Sequence, residues 1–226
     1  MSTHFFLKSK LTFIALGIFS VVMIVILKSI LTQERQLPIY TPTQVNPKLV
    51  DASLLNSRGK HQISDFNLIN QYGKKVTDQD FENSIYVANF FFTRCKTICP
   101  VMTSNMLKIQ DAFVDIDEVK LLSHSVTPRI DSVPVLRAYA EKHKAIEGKW
   151  QITTGYKKHI YDLARKSYFA VLDVGDGGLQ DFIHTENFVL IDKKKQIRGY
   201  YNGIDQQDIA RLIEDVALLL KQQKEI

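Results

Sequence analysis

Cysteine is nearly absent from this chain: two of its 226 residues are Cys, and both lie in one short stretch, Phe90 to Pro100, FFFTRCKTICP. A disulfide-scaffolded secreted module, which needs several pairs, is thereby excluded. No internal repeat or low-complexity block is present. Nor is there a basic stripe with interleaved aromatics, so the net charge of +5 does not mark a nucleic-acid binder. Of its lysines, Lys8 and Lys10 precede an apolar segment, and Lys193, Lys194 and Lys195 read as a solvated hairpin tip.

Charge is also missing from Leu11 to Leu27, LTFIALGIFSVVMIVIL. As a helix rising 1.5 Å per residue this run reaches roughly 25 Å, and it continues toward the ~30 Å of a bilayer core through Leu31 if Lys28 snorkels. KSILTQER lacks the small-residue cleavage site of a signal peptide. The expected organisation is a short cytoplasmic N-terminus (1–10), a transmembrane anchor (11–31), a tether (32–59) carrying Pro38, Pro42 and Pro47, and one folded domain (60–226). Lysines ahead of the anchor place the domain outside the cytoplasm, on the periplasmic side of a bacterial inner membrane.

The domain reads as a hairpin turning at Tyr72 to Lys75, an almost wholly apolar strand (85–92), a helix (100–113), a strand (119–127), a helix (131–143), a strand (150–153), and a helix (156–166). A Gly-rich loop, DVGDGGLQD, comes next, followed by a second hairpin (188–192 and 196–201) and a last helix (205–221) capped by Asp205. A fully apolar strand followed by a helix and another strand implies a parallel α/β sheet. The order is that of a thioredoxin-like fold with an N-terminal β-hairpin extension.

In such a fold Cys95 sits in the loop after the first long strand, and Cys99 opens a helix with Pro100 in its first turn. The helix dipole, with Arg94 and Lys96, favours a thiolate at Cys99. A purely structural disulfide closing so short a loop gains only about 2 kcal/mol, the least useful place for a staple. Flanking charges argue against inert burial. A redox pair and a soft-metal clamp remain.

FFFTRCKTICP, SVTPRIDSVPVLRAYAEKH and FIHTENFVLIDKKKQIRGYYNG resemble the Sco/SenC family of membrane-tethered thioredoxin-like proteins, over roughly residues 60 to 222. The resemblance implies copper, as Cu(I) or Cu(II), held by two Cys and one His: here Cys95, Cys99 and His184. It implies delivery to the CuA site of cytochrome c oxidase by a metallochaperone, with other copper chaperones and thiol-disulfide proteins as further partners. Thiol-disulfide chemistry is also attributed to some members, so a membrane-anchored reductase using the same pair stands beside it. Soft thiolates suit Cu(I) and imidazole suits Cu(II), which fits that set. The chain has no proline after Pro134, so His184-Thr185 stands where ordinary thioredoxin-like reductases carry one. The PxxxTxxC pattern of peroxiredoxins is absent. Where many members have Pro and Asp between the cysteines and an Asp in the SVTP segment, this chain has Lys96, Thr97 and Thr127. His4, His61, His143 and His159 read as solvated or hydrogen-bonded groups and His124 as a buried one. Met102 and Met106 read as helix packing, and the loop around Asp173, Asp176 and Asp181 as a mobile segment ahead of His184.

Overall fold

A strand whose residues are apolar or aromatic at every position but Asn89 cannot alternate between core and water, and Ile85–Phe91 is buried at every position. The computed structural model describes residues 3–31, 35–42, 61–171, 175, 177–178 and 180–222. Its elements are α1 (Thr3–Leu31), β1 (Asn67–Asn70), β2 (Lys75–Thr77), β3 (Ile85–Phe91), α2 (Cys99–Ala112), β4 (Val119–Ser125), α3 (Val133–Lys142), β5 (Trp150–Thr154), α4 (Lys157–Asp162), β6 (Asn187–Ile191), β7 (Ile197–Asn202) and α5 (Gln206–Gln222). The strands form one sheet in the order β2-β1-β5-β4-β3-β6-β7. β3, β4 and β5 run parallel, while β1 joins β5 and β6 joins β3 antiparallel. The N-terminal hairpin is therefore an edge of the main sheet. Its turn uses Gly73 at φ 76 and the Asn70 side chain, which accepts the amides of Tyr72 and Lys74 at 3.0 and 2.9 Å.

Each face of the sheet carries its own core. Met102, Met106 and Ile109 of α2, Leu136 of α3, and Leu212 and Val216 of α5 pack with Val87, Leu121 and Trp150. On the other face Phe66, Phe90, Tyr161, Tyr168 and Phe169 gather around Leu122. Met102 and Met106 are fully buried packing groups. The fourth helix is shorter than its sequence pattern, giving way to a wider turn over Leu163–Ser167 in which the Tyr168 amide bonds Leu163 O at 2.8 Å.

Residues 37–42, inside the expected tether, lie along the β7 edge. Tyr40 N donates to Ile197 O at 2.9 Å, Arg198 donates to the carbonyls of Pro38 and Leu37, and Leu37 is buried. The compact unit accordingly begins at Leu37. Residues 32–34 and 43–59 of the expected tether, residue 60 of the expected domain, and Asp173 and Asp176 of the Gly-rich loop lie outside the described residues. So does the loop motion expected there.

α1 forms a separate unit. Its side chains, described from Thr12 to Lys28, are exposed throughout, Phe13 at 74% and Phe19 at 65% among them. Among the described residues no helix is long and apolar enough to cross a membrane.

Candidate metal centre

The carboxyl ends of β3 and β4 and the entry to β6 share one edge of the sheet. Register shows why: Ala88 pairs with Val189 and Val87 with Leu190, so the chain before β6 passes the residues just after β3. This places the loop 92–98 beside the loop 180–186.

Both cysteines are free. Cys99 is 4% exposed at the start of α2, and Cys95 is half-buried in the loop. Ile98 offers α2 no side-chain cap. The Cys95 sulfur fills that role, accepting the Cys99 amide at 3.4 Å with the Thr97 hydroxyl 3.5 Å away. Partial burial alone would raise the Cys95 thiol, but these hydrogen bonds from Thr97 and Cys99 outweigh it and bring its pKa down to about 6. Burial pushes Cys99 the other way, to about 12, against the Phe92 amide and with help from the Cys95 sulfur and the Asp131 carboxylate. The expected thiolate at Cys99 is thus corrected: desolvation of a buried sulfur exceeds what a helix terminus returns, and Cys95 is the more acidic thiol.

His184 is exposed between two anchored neighbours. Ile183 is 1% exposed with its amide toward Tyr161 Oη at 3.4 Å, and the Thr185 hydroxyl donates to Ala170 O at 2.7 Å. The imidazole is therefore turned outward, its centroid 6.4 Å from that of Phe92. The structure brings Cys95 and Cys99 together and puts His184 on the same edge. It does not gather the three: among the described residues no group of three or more His, Cys, Asp or Glu side chains is placed to hold a metal ion. His124 is fully buried on β4, stacked on Phe90 with Nδ1 3.3 Å from the Thr153 hydroxyl, and faces the core.

Sequence reasoning missed Asp131. It precedes α3 and is fully buried, accepting the Thr93 hydroxyl at 2.6 Å, the Ser125 hydroxyl at 2.5 Å, the Thr127 hydroxyl at 2.9 Å and the Thr93 amide at 3.3 Å. One carboxylate thereby ties the root of the cysteine loop to the end of β4. Three hydroxyl residues flanking two strand ends, with an acid close by, were the available signal.

A family model described as SCO1/SenC matches residues 56–221. The chain belongs to the SCO1/SenC family. It is 30% identical over 158 residues to the SCO1 protein homolog of Bacillus subtilis, covering 69% of this chain and 81% of that one. The structure of BsSco, in which a disulfide switch is identified and which is described as "a member of the Sco family of cytochrome c oxidase assembly proteins", aligns at TM-score 0.60 and 30% identity, over 70% of this chain and 93% of that one. ScoI of Bradyrhizobium japonicum, solved with copper bound, shares the fold at TM-score 0.54 and 21% identity over 69% of this chain and 99% of that one. The mixed α/β thioredoxin-like Sco fold is common to all of them.

Proposed function

We propose that the protein is a membrane-anchored copper carrier serving cytochrome c oxidase, with Cys95, Cys99 and His184 as the ligands of its cargo and the CuA-bearing subunit as its recipient. The observation that carries this reading is the sulfur pair, linked by a hydrogen bond from the Cys99 amide to the Cys95 sulfur, at the edge where register delivers an exposed imidazole. The chemistry of the donor set agrees. Two thiolates suit Cu(I), and an added imidazole accommodates Cu(II). Family membership and the description of BsSco as one of a family of cytochrome c oxidase assembly proteins support the link to oxidase assembly. Because His184 stands apart from the sulfurs, capture starts at the cysteines and the imidazole closes on the ion afterwards. Copper displaces protons from both thiols, so affinity falls with acid and is abolished by oxidation of the pair.

Anchoring belongs to the same reading. A helix that is apolar on every side has no stable use in water, and α1 exposes Phe13, Phe19, Val22 and Ile26 around its circumference. Lysines before it put the domain on the periplasmic side of a bacterial inner membrane.

A second reading rests on the unequal exposure of the two thiols. The more accessible Cys95 sulfur can attack a partner disulfide, forming a mixed disulfide and releasing one partner thiolate. Cys99 then displaces the second partner thiol, leaving Cys95 and Cys99 joined and the partner reduced. The readings separate in one experiment: anaerobic titration of the reduced full chain with Cu(I) and with Cu(II), repeated for His184→Ala, beside a partner-disulfide reduction assay. The carrier reading expects His184→Ala to weaken copper binding. Unchanged copper affinity with fast disulfide reduction would favour the reductase.

A further inference from the structure

A groove of about 180 Å³ opens beside the cysteine loop, lined by Val126, Pro128, Arg129, Ile130, Tyr161 and Phe182. Its floor is fixed. The Tyr161 hydroxyl donates to Val126 O at 3.0 Å, Val126 N donates to Phe91 O at 2.8 Å, and Lys157 Nζ holds the carbonyls of Gly178 and Asp181, both at 2.5 Å. Its rim is apolar and wet, with Phe182 45% and Ile130 41% exposed. Large apolar groups flanking a preformed groove next to a reactive site mark a contact surface.

The groove is continuous with the candidate metal centre. Phe182 packs edge-on against Phe92 at 5.2 Å, and Phe92 in turn neighbours His184 and accepts the Cys95 amide at 3.3 Å. Any side chain seated there lies against residues bordering the sulfurs.

Charge narrows the occupant. Arg94, Lys96 and Arg129 are exposed, and none has an ion-pair partner among the described residues. The carboxylates of the same edge are spent inward. Asp131 is buried among hydroxyl donors, and Asp181 is bound by Arg165 through two hydrogen bonds of 2.7 Å. Glu186, beyond His184, is the exposed acid of that loop. Thr97 and Thr127 stand where the sequence resemblance leads one to expect acids, so this edge has shed negative charge.

We propose that this groove docks a partner protein through an apolar side chain ringed by carboxylates, with Arg94, Lys96 and Arg129 reading the acids. The proposal rests on the carrier reading for its biological setting and gives the recipient's surface a chemistry: acidic, with one protruding apolar group. Charge at such a rim steers encounter, while the seated side chain holds the complex beside the sulfurs.

The test uses the copper-free full chain in detergent and three dye-labelled synthetic peptides: Glu-Asp-Phe-Asp-Glu, Glu-Asp-Ser-Asp-Glu and Lys-Lys-Phe-Lys-Lys. Fluorescence anisotropy is expected to show binding of the acidic Phe peptide, weakened at least about tenfold by Arg129→Glu and several-fold by Phe182→Ala. Raising salt from about 0.02 M to about 0.5 M weakens it similarly. Lys75→Glu, an exposed change on β2, leaves it intact. The serine and lysine peptides bind far less. Equal binding of acidic and basic peptides, indifference to Arg129→Glu, or no binding at about 5 mM peptide would overturn the proposal. Copper affinity is read separately on the same variants, so a failed carrier reading and a failed docking surface give different results.

Discussion

Asp131 offers the sharpest test of how the cysteine loop is held. Replacing it with alanine removes the acceptor of three hydroxyls and of the Thr93 amide at once. Ser125 is fully buried and keeps no water to turn to, which costs about 2 kcal/mol, whereas Thr93 and Thr127 are half-buried and lose about 0.5 kcal/mol each. The total of about 3 kcal/mol, over a urea slope of about 2 kcal/mol per molar, lowers the unfolding midpoint by about 1.5 M. Asp131→Asn keeps the shape and one acceptor oxygen and loses about 1 kcal/mol. The assay is equilibrium urea unfolding of the full chain in detergent. It is followed by the fluorescence of Trp150, the sole tryptophan, which is 1% exposed. A double-mutant cycle with Thr93→Val is expected to show coupling, because both side chains belong to one network. A midpoint shift below about 0.3 M for Asp131→Ala, or additivity in the cycle, would refute the clamp.

Further expectations follow from two buried groups. Hydrogen bonds from Arg165 hold the Asp181 carboxylate below its usual range. Its stabilisation is therefore complete above about pH 4 and is lost as pH falls through the lower folded value. Asp181→Asn accordingly costs about 3 kcal/mol near neutrality, a deficit that shrinks below about pH 3 in urea midpoints measured across that range. Burial lowers the His124 imidazole to about 3, so its contribution is full above about pH 6.5 and declines toward pH 3 as the unfolded chain takes up the proton. His124→Phe, which keeps a ring against Phe90, flattens the fall in stability over that window by up to about 1.4 kcal/mol per pH unit. An unchanged slope would mean that the histidine is solvated.

The sheet was legible because its signals are local. IYVANFFF has the almost continuous apolarity of a doubly covered strand, and Met102, Met106 and Ile109 mark one helix face. The Cys95 and Cys99 pair was legible from spacing and from Pro100 at the helix start. What escaped depended on neighbours distant in sequence. The order of the two thiols follows from how far α2 sinks Cys99 into its core, which a helix-dipole argument cannot see. Asp131 reads locally as the first residue of a helix, yet its carboxylate turns toward Thr93, a residue 38 positions earlier. Docking of 37–42 on β7 depends on Leu37 and Tyr40, too sparse in a proline-spaced segment to form a pattern.

The central claim is that Cys95, Cys99 and His184 hold one copper ion together, although the fold sets His184 apart from the sulfurs. X-ray absorption at the copper edge of the reduced, copper-loaded full chain, with and without His184→Ala, tests it most directly. The account predicts two sulfur ligands and one imidazole in the wild type, with the imidazole lost and both sulfurs kept in the variant. An imidazole that persists in His184→Ala, or copper bound through a single sulfur in the wild type, would contradict it.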